Sequence, residues 1–243
     1  MATIAIYSLK GGVGKTTLAV NLAWCSATRS ARRTLLWDLD PQAASTFLIG
    51  APNRKEQAQA IFSRDVEPGK LAQHSAIERL DLIAADTSLR GLDHLFHELD
   101  KKKRLAKLLG ELDRKYDRML LDCPPGLTET SEQVMRAADL IVVPVIPSPL
   151  SARAFEEVAS HLDKRSGGKA ALMPIHSMVD RRRKLHAEAL ARDPEWPVIP
   201  MASIVESMAV RRAPVGSFAG RSVGAQAFAD LWSAIEYRLA GKR

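Results

Sequence analysis

The chain has 243 residues, of which 46% are apolar, 26% charged and 5% aromatic, with two cysteines and a formal net charge of +7. No apolar run approaches the ~20 residues of a membrane span. Sparse aromatics argue against a stacking platform for single strands, and two distant cysteines exclude a disulfide framework and point to a reducing compartment. The basic excess favours an anionic partner, either nucleic acid or acidic lipid, and the length predicts one domain over 1–243. The first residues lead directly into a strand, so neither a signal peptide nor a DNA-binding headpiece is expected.

That first predicted strand is the apolar run Thr3-Ile4-Ala5-Ile6-Tyr7. It leads into Ser8-Leu9-Lys10-Gly11-Gly12-Val13-Gly14-Lys15-Thr16-Thr17, and a helical pattern of Leu18, Leu22 and Cys25 follows. Strand, glycine-rich loop and helix in that order form the setting of a phosphate-binding loop. Glycines let successive backbone N–H groups turn toward an anion, and the helix N-terminus behind them adds its positive dipole end. Lys15 is placed to reach the β- and γ-phosphates of a nucleotide, and the Thr16 hydroxyl to complete a Mg²⁺ shell. The first glycine of the common G-x-x-x-x-G-K-[ST] form is replaced by Leu9, and a second lysine, Lys10, precedes the glycine pair. Lys10 cannot easily fold back onto its own loop's phosphates, but as a free cation it can serve a phosphate held by another subunit.

The next strand, Leu35 to Leu39, closes on Asp38 and Asp40, followed by Pro41 and Gln42. Spacing of i and i+2 puts both carboxylates on one face, at the strand end where doubly wound sheets keep their ligands. Residues 43–79 begin as a helix and continue as a looser, mixed-charge stretch. Leu80–Ala85 reads as a strand, and Ser88 to about Leu112 as mostly helical. Within it, Lys101-Lys102-Lys103-Arg104 reads as the solvated face of a helix whose Leu95, Leu99, Leu105, Leu108, Leu109 and Leu112 form the buried stripe.

Strand Met119–Asp122 then runs into Cys123-Pro124-Pro125-Gly126. Asp122 fits a Walker B carboxylate acting on Mg²⁺ through water, with a switch segment after it that senses the γ-phosphate. A helix around Glu132–Ala138, a central strand Leu140–Pro144, a helix near Ser151–Arg165 and a strand Ala170–Ile175 complete the pattern. This alternation predicts an α/β fold: a doubly wound, mostly parallel sheet flanked by helices. Near the end, Phe228, Leu231, Trp232, Ile235 and Leu239 share one helical face, which reads as core-facing rather than lipid-binding, with only Ala240–Arg243 after it.

Together these motifs resemble the ParA/MinD family of ATPases, on its short, headpiece-free side. The loop matches that family's K-G-G-x-G-K-[ST], Asp38-Leu39-Asp40-Pro41-Gln42 matches D-x-D-P-Q, and Asp122-Cys123-Pro124-Pro125 matches D-C-P-P. The resemblance implies that Lys10 reaches across a dimer to the partner's ATP, that Asp40 positions and polarises the attacking water, and that Asp38 supports the Mg²⁺ hydration shell. It makes Cys123 a small buried residue rather than a redox group. Ser177-Met178-Val179-Asp180-Arg181-Arg182 is similar to a T-M-x-D-x-R stretch between nucleotide site and dimer edge. Ser177, Met178 and Pro200 are thereby candidate base contacts, Ser177 standing where many P-loop ATPases carry an asparagine. Arg211-Arg212 precedes Ala213-Pro214, where relatives read S-E-A-P, and Arg221-Ser222 matches an R-S-x-G-A segment.

Family proteins use basic residues on this C-terminal side to bind duplex DNA through its phosphates, without sequence preference. Arg181, Arg182, Arg183, Lys184, Arg211, Arg212 and Arg221 are the candidates here. The resemblance implies a bacterial, cytoplasmic, nucleoid-associated positioning ATPase. It would use ATP and Mg²⁺, pair as a homodimer with ATP, and turn over slowly until a ParB-like or other cargo adaptor stimulates it, with no membrane involved. Two rivals share the fold: a MinD-like membrane ATPase, and a P-loop ligase that activates a carboxylate, as dethiobiotin synthetases do. An iron–sulfur reductase of the nitrogenase iron-protein type would need cysteines at a dimer axis, and Cys25 and Cys123 lie in other elements.

Overall fold

Strands covered on both faces are built mostly of apolar residues, and five segments of this chain are. In a computed structural model, describing residues 1–50, 58–63, 67–99, 103–165 and 170–241, they become β1 (Ala2–Ile6), β2 (Thr34–Asp38), β4 (Leu80–Ile83), β5 (Arg118–Asp122) and β6 (Leu140–Val145), every residue buried. With β3 (Ala72–His74), β7 (Ala171–Val179) and β8 (Val198–Pro200) they form an eight-stranded sheet in the order β3-β4-β2-β5-β1-β6-β7-β8. All neighbours pair parallel except the edge strand β3, which runs antiparallel to β4.

Side chains that alternate along each strand feed two cores. Ile4 and Ile6 face α1 (Lys15–Arg29), while Ala5 and Tyr7 face the opposite layer. In chain order the remaining helices are α2 (Ala44–Ile49), α3 (Ala60–Ser63), α4 (Pro68–Leu71), a 3₁₀ turn (Thr87–Gly91), α5 (Leu92–Leu99), α6 (Arg104–Leu112), α7 (Glu129–Ala137) and α8 (Pro149–Arg165). Then follow α9 (Lys184–Arg192), α10 (Ser203–Arg211), α11 (Val215–Phe218) and α12 (Val223–Ala240).

Two readings change. Arg104 is not part of a solvated face: it is buried, and its Nε and Nη2 donate to the carbonyls of Phe62 and Ile61 at 3.0 and 2.9 Å. The four-residue α3 leaves those terminal carbonyls without helical partners, and a guanidinium fork satisfies two at once. Lys101 and Lys102 of the same run lie outside the described residues. The strand expected over Ala170–Ile175 continues to Val179, because pairing with β6 runs on to His176 and β8 takes over at His176 and Val179.

The final helix packs inward. Phe228, Leu231, Trp232, Ile235 and Leu239 of α12 are buried in the core that contains α1. Among the described residues no helix is long and apolar enough to cross a membrane; Lys242 and Arg243 lie outside them. Arg118, buried at the start of β5, meets Glu236 of α12 in a two-pronged ion pair, Nε to Oε1 at 2.7 Å and Nη2 to Oε2 at 2.8 Å. Removing one partner strands a desolvated charge. Glu236→Ala is therefore expected to destabilise the fold by about 3 kcal/mol, read as a lower urea midpoint at unchanged slope; an unshifted midpoint would show that the pair holds nothing.

Candidate nucleotide site

The loop after β1 lies near the middle of the sheet, where the carboxyl ends of β1, β2 and β5 meet. Gly12 and Gly14 adopt φ of 70° and 92°, left-handed values open to glycine at little cost. Gly14 is the N-cap of α1, which has no side-chain cap and no acidic residue in its first turn. The positive end of α1 thus faces the loop unopposed. Ser177 of β7 donates its hydroxyl to the Val13 carbonyl at 2.8 Å, and a Cβ on Gly14 would stand 3.3 Å from the Ser177 Oγ. Ser177 therefore braces the loop from behind.

Lys15 is buried, and its ammonium donates to the Lys10 carbonyl at 2.9 Å. Burial lowers its pKa, opposed by the nearby Asp122 carboxylate. The half-buried Lys10 sends its own ammonium to the Ser151 hydroxyl of α8, 3.4 Å away, rather than into its loop.

Beneath the loop, Asp38 and Asp122 are register partners on adjacent strands, and both are buried. Asp38 accepts from the Thr46 amide (2.9 Å), the Thr46 hydroxyl (2.8 Å) and the Asp40 amide (3.1 Å). Asp122 Oδ2 accepts from the Ser45 hydroxyl at 2.7 Å, while its Oδ1 is buried without a hydrogen-bond partner. Burial pushes both carboxyl groups upward, and Asp122 adds repulsion at Asp38. Two buried carboxylates this close resist joint ionisation unless a cation lies between them. Ser45 and Thr46 escaped the sequence reading, although two hydroxyl residues stand just behind D-x-D-P-Q and begin α2.

Asp40 faces outward, its Oδ1 accepting only the Gln42 amide at 2.9 Å among the described residues. The turn after β5 is tied down at Gly126, whose carbonyl accepts the Tyr7 hydroxyl at 2.9 Å and whose amide donates to the Leu9 carbonyl at 3.2 Å. A cavity of about 300 Å³ gathers Gly11, Gly12, Gly14, Lys15, Thr16, Thr17, Asp40, Gln42, Ala44, Pro125 and Met178. Of the expected base contacts, Met178 reaches this cavity, Ser177 lies behind the loop, and Pro200 lines a different one.

That second cavity, about 590 Å³, lies between β8 and the start of α12 and brings Arg181 and Arg221 together. Both are exposed, and neither makes an ion pair among the described residues. The other basic candidates are more committed. Arg182 forks onto Asp180 through two hydrogen bonds of 2.9 Å, and Lys184 lies 3.8 Å from Glu188. Arg211 and Arg212 sit over the rings of Phe218 and Phe47, at 4.9 and 4.1 Å. Arg183 is the exposed N-cap of α9.

A glycine-rich loop between a central strand and helix, with carboxylates from a neighbouring strand end beneath it, defines the P-loop class of nucleotide-binding folds. Residues 1–166 match the AAA domain family. The chain is 30% identical over 191 residues to the virulence plasmid ParA family protein pGP5-D of Chlamydia psittaci, covering 77% of this chain and 73% of that one. It belongs to the ParA family of P-loop ATPases. It is also 34% identical over 146 residues to the sporulation initiation inhibitor protein Soj of Bacillus subtilis, a stretch that spans 58% of this chain and 57% of Soj.

Among solved structures, the septum site-determining protein MinD of Pyrococcus horikoshii, complexed with Mg-ADP, shares the fold at TM-score 0.82 and 23% identity, over 99% of this chain and 97% of that one. Cobyrinic acid a,c-diamide synthase of Mycobacterium smegmatis, with an ATP analogue and magnesium, superposes at TM-score 0.81 and 25% identity, over 100% and 97%.

Proposed function

We propose that this protein is an ATP-dependent positioning ATPase that pairs when ATP-bound, holds duplex DNA in that state and lets go after hydrolysis. The observation that carries this reading is the convergence of the three motifs on one cavity, with Lys15 and Thr16 on one wall and Asp40 on another. In this reading the loop amides and Lys15 hold the β- and γ-phosphates, Asp40 orients the attacking water, and Lys10 leaves Ser151 to reach the partner's nucleotide.

The donor set suits magnesium. Thr16, Asp38 and Asp122 supply hard oxygens, and Asp122 Oδ1 is already desolvated and unpartnered. Bound there, Mg²⁺ would neutralise charge on the phosphate oxygens. Nothing in cis resembles an arginine finger among the described residues, which supports slow turnover and a stimulating adaptor.

Arg181 and Arg221 are the strongest DNA candidates, because both line one open cavity and neither makes an ion pair among the described residues. Doubling the number of phosphates neutralised, as a dimer would, steepens affinity and its salt dependence together. Binding to non-specific duplex should appear with ATP and not with ADP, and weaken at higher salt. In Arg181→Ala/Arg221→Ala the salt slope should fall by about 0.9 for each phosphate that is no longer neutralised. Unchanged slope and affinity would move the DNA surface elsewhere.

The likeness to cobyrinic acid a,c-diamide synthase supports one other reading, a carboxylate-activating ligase. Turnover that requires an added organic acid, and ignores DNA, would favour it.

A further inference from the structure

The turn that carries Asp40 winds around the Asp38 carboxylate. At its start the Asp40 amide donates to Asp38 Oδ1 at 3.1 Å. At its end the amide and hydroxyl of Thr46 both donate to Asp38 Oδ2, at 2.9 and 2.8 Å. Asp38 and Thr46 are buried, so a lost bond between them is not made good by water. The backbone in between is strained. Ala43 has φ of 55°, a left-handed value that residues with a Cβ rarely adopt, and it caps α2 without a side-chain hydrogen bond. Such a conformation persists only where the surroundings impose it, and it gathers at sites of function. The other bonds of Asp40, from the Ala43 amide to its carbonyl and from the Gln42 amide to its Oδ1, lie within the turn and move with it.

Thr46 ties this turn to the sheet. Its Oγ1 accepts from the Ala85 amide, two residues past β4, at 2.9 Å. That amide can only donate, so the hydroxyl hydrogen is left for Asp38. The hydroxyl is thus fixed from both sides, by β4 and by Asp38. Ala44 and Asp40 line the nucleotide cavity, and Thr46 does not.

We propose that Thr46 is a positioning residue for hydrolysis: acting through Asp38, its hydroxyl holds the Asp40 turn in place over the nucleotide cavity. The inference rests on the role of Asp40 in orienting the attacking water. A misplacement of about 1 Å can slow a reaction about 10²-fold. Loss of the hydroxyl therefore acts on the rate of hydrolysis and leaves ATP affinity alone.

The test is single-turnover hydrolysis, with ATP affinity measured alongside, in the wild type, Thr46→Val, Thr46→Ser, Asp40→Ala and the double variant Asp40→Ala/Thr46→Val. Thr46→Val should hydrolyse ATP about tenfold or more slowly, as expected for a lost bond to a charged group, with affinity little changed. Thr46→Ser, which keeps the hydroxyl, should restore the rate. In the Asp40→Ala background Thr46→Val should slow nothing further, because the residue it positions is gone. In the nucleotide-free protein, hydrogen exchange at the Asp40 amide should quicken by about tenfold in Thr46→Val and not in Thr46→Ser. Urea unfolding checks that each variant is folded, and Thr46→Ala takes the place of Thr46→Val if a methyl against the Ala85 amide prevents folding. Wild-type turnover without the hydroxyl, an equal loss in Thr46→Ser, unchanged exchange at Asp40, or multiplied losses in the double variant would each overturn the proposal. Where Asp40→Ala is itself slow, those outcomes leave the ATPase reading standing; an Asp40→Ala protein with normal turnover overturns both.

Discussion

Lys15→Ala is expected to lose ATP binding altogether while leaving the nucleotide-free protein at least as stable as before. The second half follows from the site's own electrostatics. Lys15 is buried, burial lowers its pKa, and its ammonium is offset by one backbone carbonyl and the Asp122 carboxylate. Truncation removes a desolvated charge and leaves the Lys10 carbonyl to the open cavity. The first half follows from phosphate chemistry: charge-assisted bonds contribute about 1.5–3 kcal/mol each, so losing two weakens ATP by at least about a hundredfold. Thermal unfolding reads both at once. The wild type should gain stability with ATP as RT ln(1 + [L]/Kd), and Lys15→Ala should gain none. A variant that keeps its ATP-dependent rise in Tm would sink the phosphate-loop assignment.

Asp40→Ala should separate binding from turnover. The Asp40 side chain makes one hydrogen bond among the described residues, to the exposed Gln42 amide, so little stability depends on it. ATP affinity should stay within a few fold, whereas hydrolysis should fall by about 10²–10⁴, the usual weight of a positioned base. With hydrolysis blocked, the ATP state accumulates, and the variant should stay on duplex DNA where the wild type dissociates. Phosphate release at saturating ATP, followed beside DNA dissociation, checks both parts. Normal turnover would remove Asp40 from the mechanism. Normal dissociation with blocked turnover would detach DNA release from hydrolysis.

Most of the sheet was legible because parallel strands buried on both faces are mostly apolar, and β1, β2, β4, β5 and β6 are, with Asp38, Asp81, Arg118 and Asp122 the charged exceptions. The edges were not. Strand β3 has three residues, Ala72-Gln73-His74, none fully buried, and exists through antiparallel pairing with β4. Strand β8 is equally short and is recruited by β7. Pairing partners, not pattern, create such strands.

Local arrangement was set by sequence alone: which residues form the glycine-rich loop after β1, which strand ends carry carboxylates, and that Lys10 and Lys15 flank the glycines. These are relations between near neighbours, set by backbone geometry over a few residues. Meetings between distant parts of the chain were left to the tertiary structure. Ser45 reaches Asp122 across 77 positions, and Ser177 braces Val13 across 164. Arg104 turned inward because a short helix 42 residues earlier offered bare carbonyls. The same packing turned the apolar face of α12 onto α1 and gathered Arg181 with Arg221. Each of these depends on what a side chain meets once the sheet has closed; for Ser45, Ser177 and Arg104 the cost of a buried polar group without a partner selects the meeting.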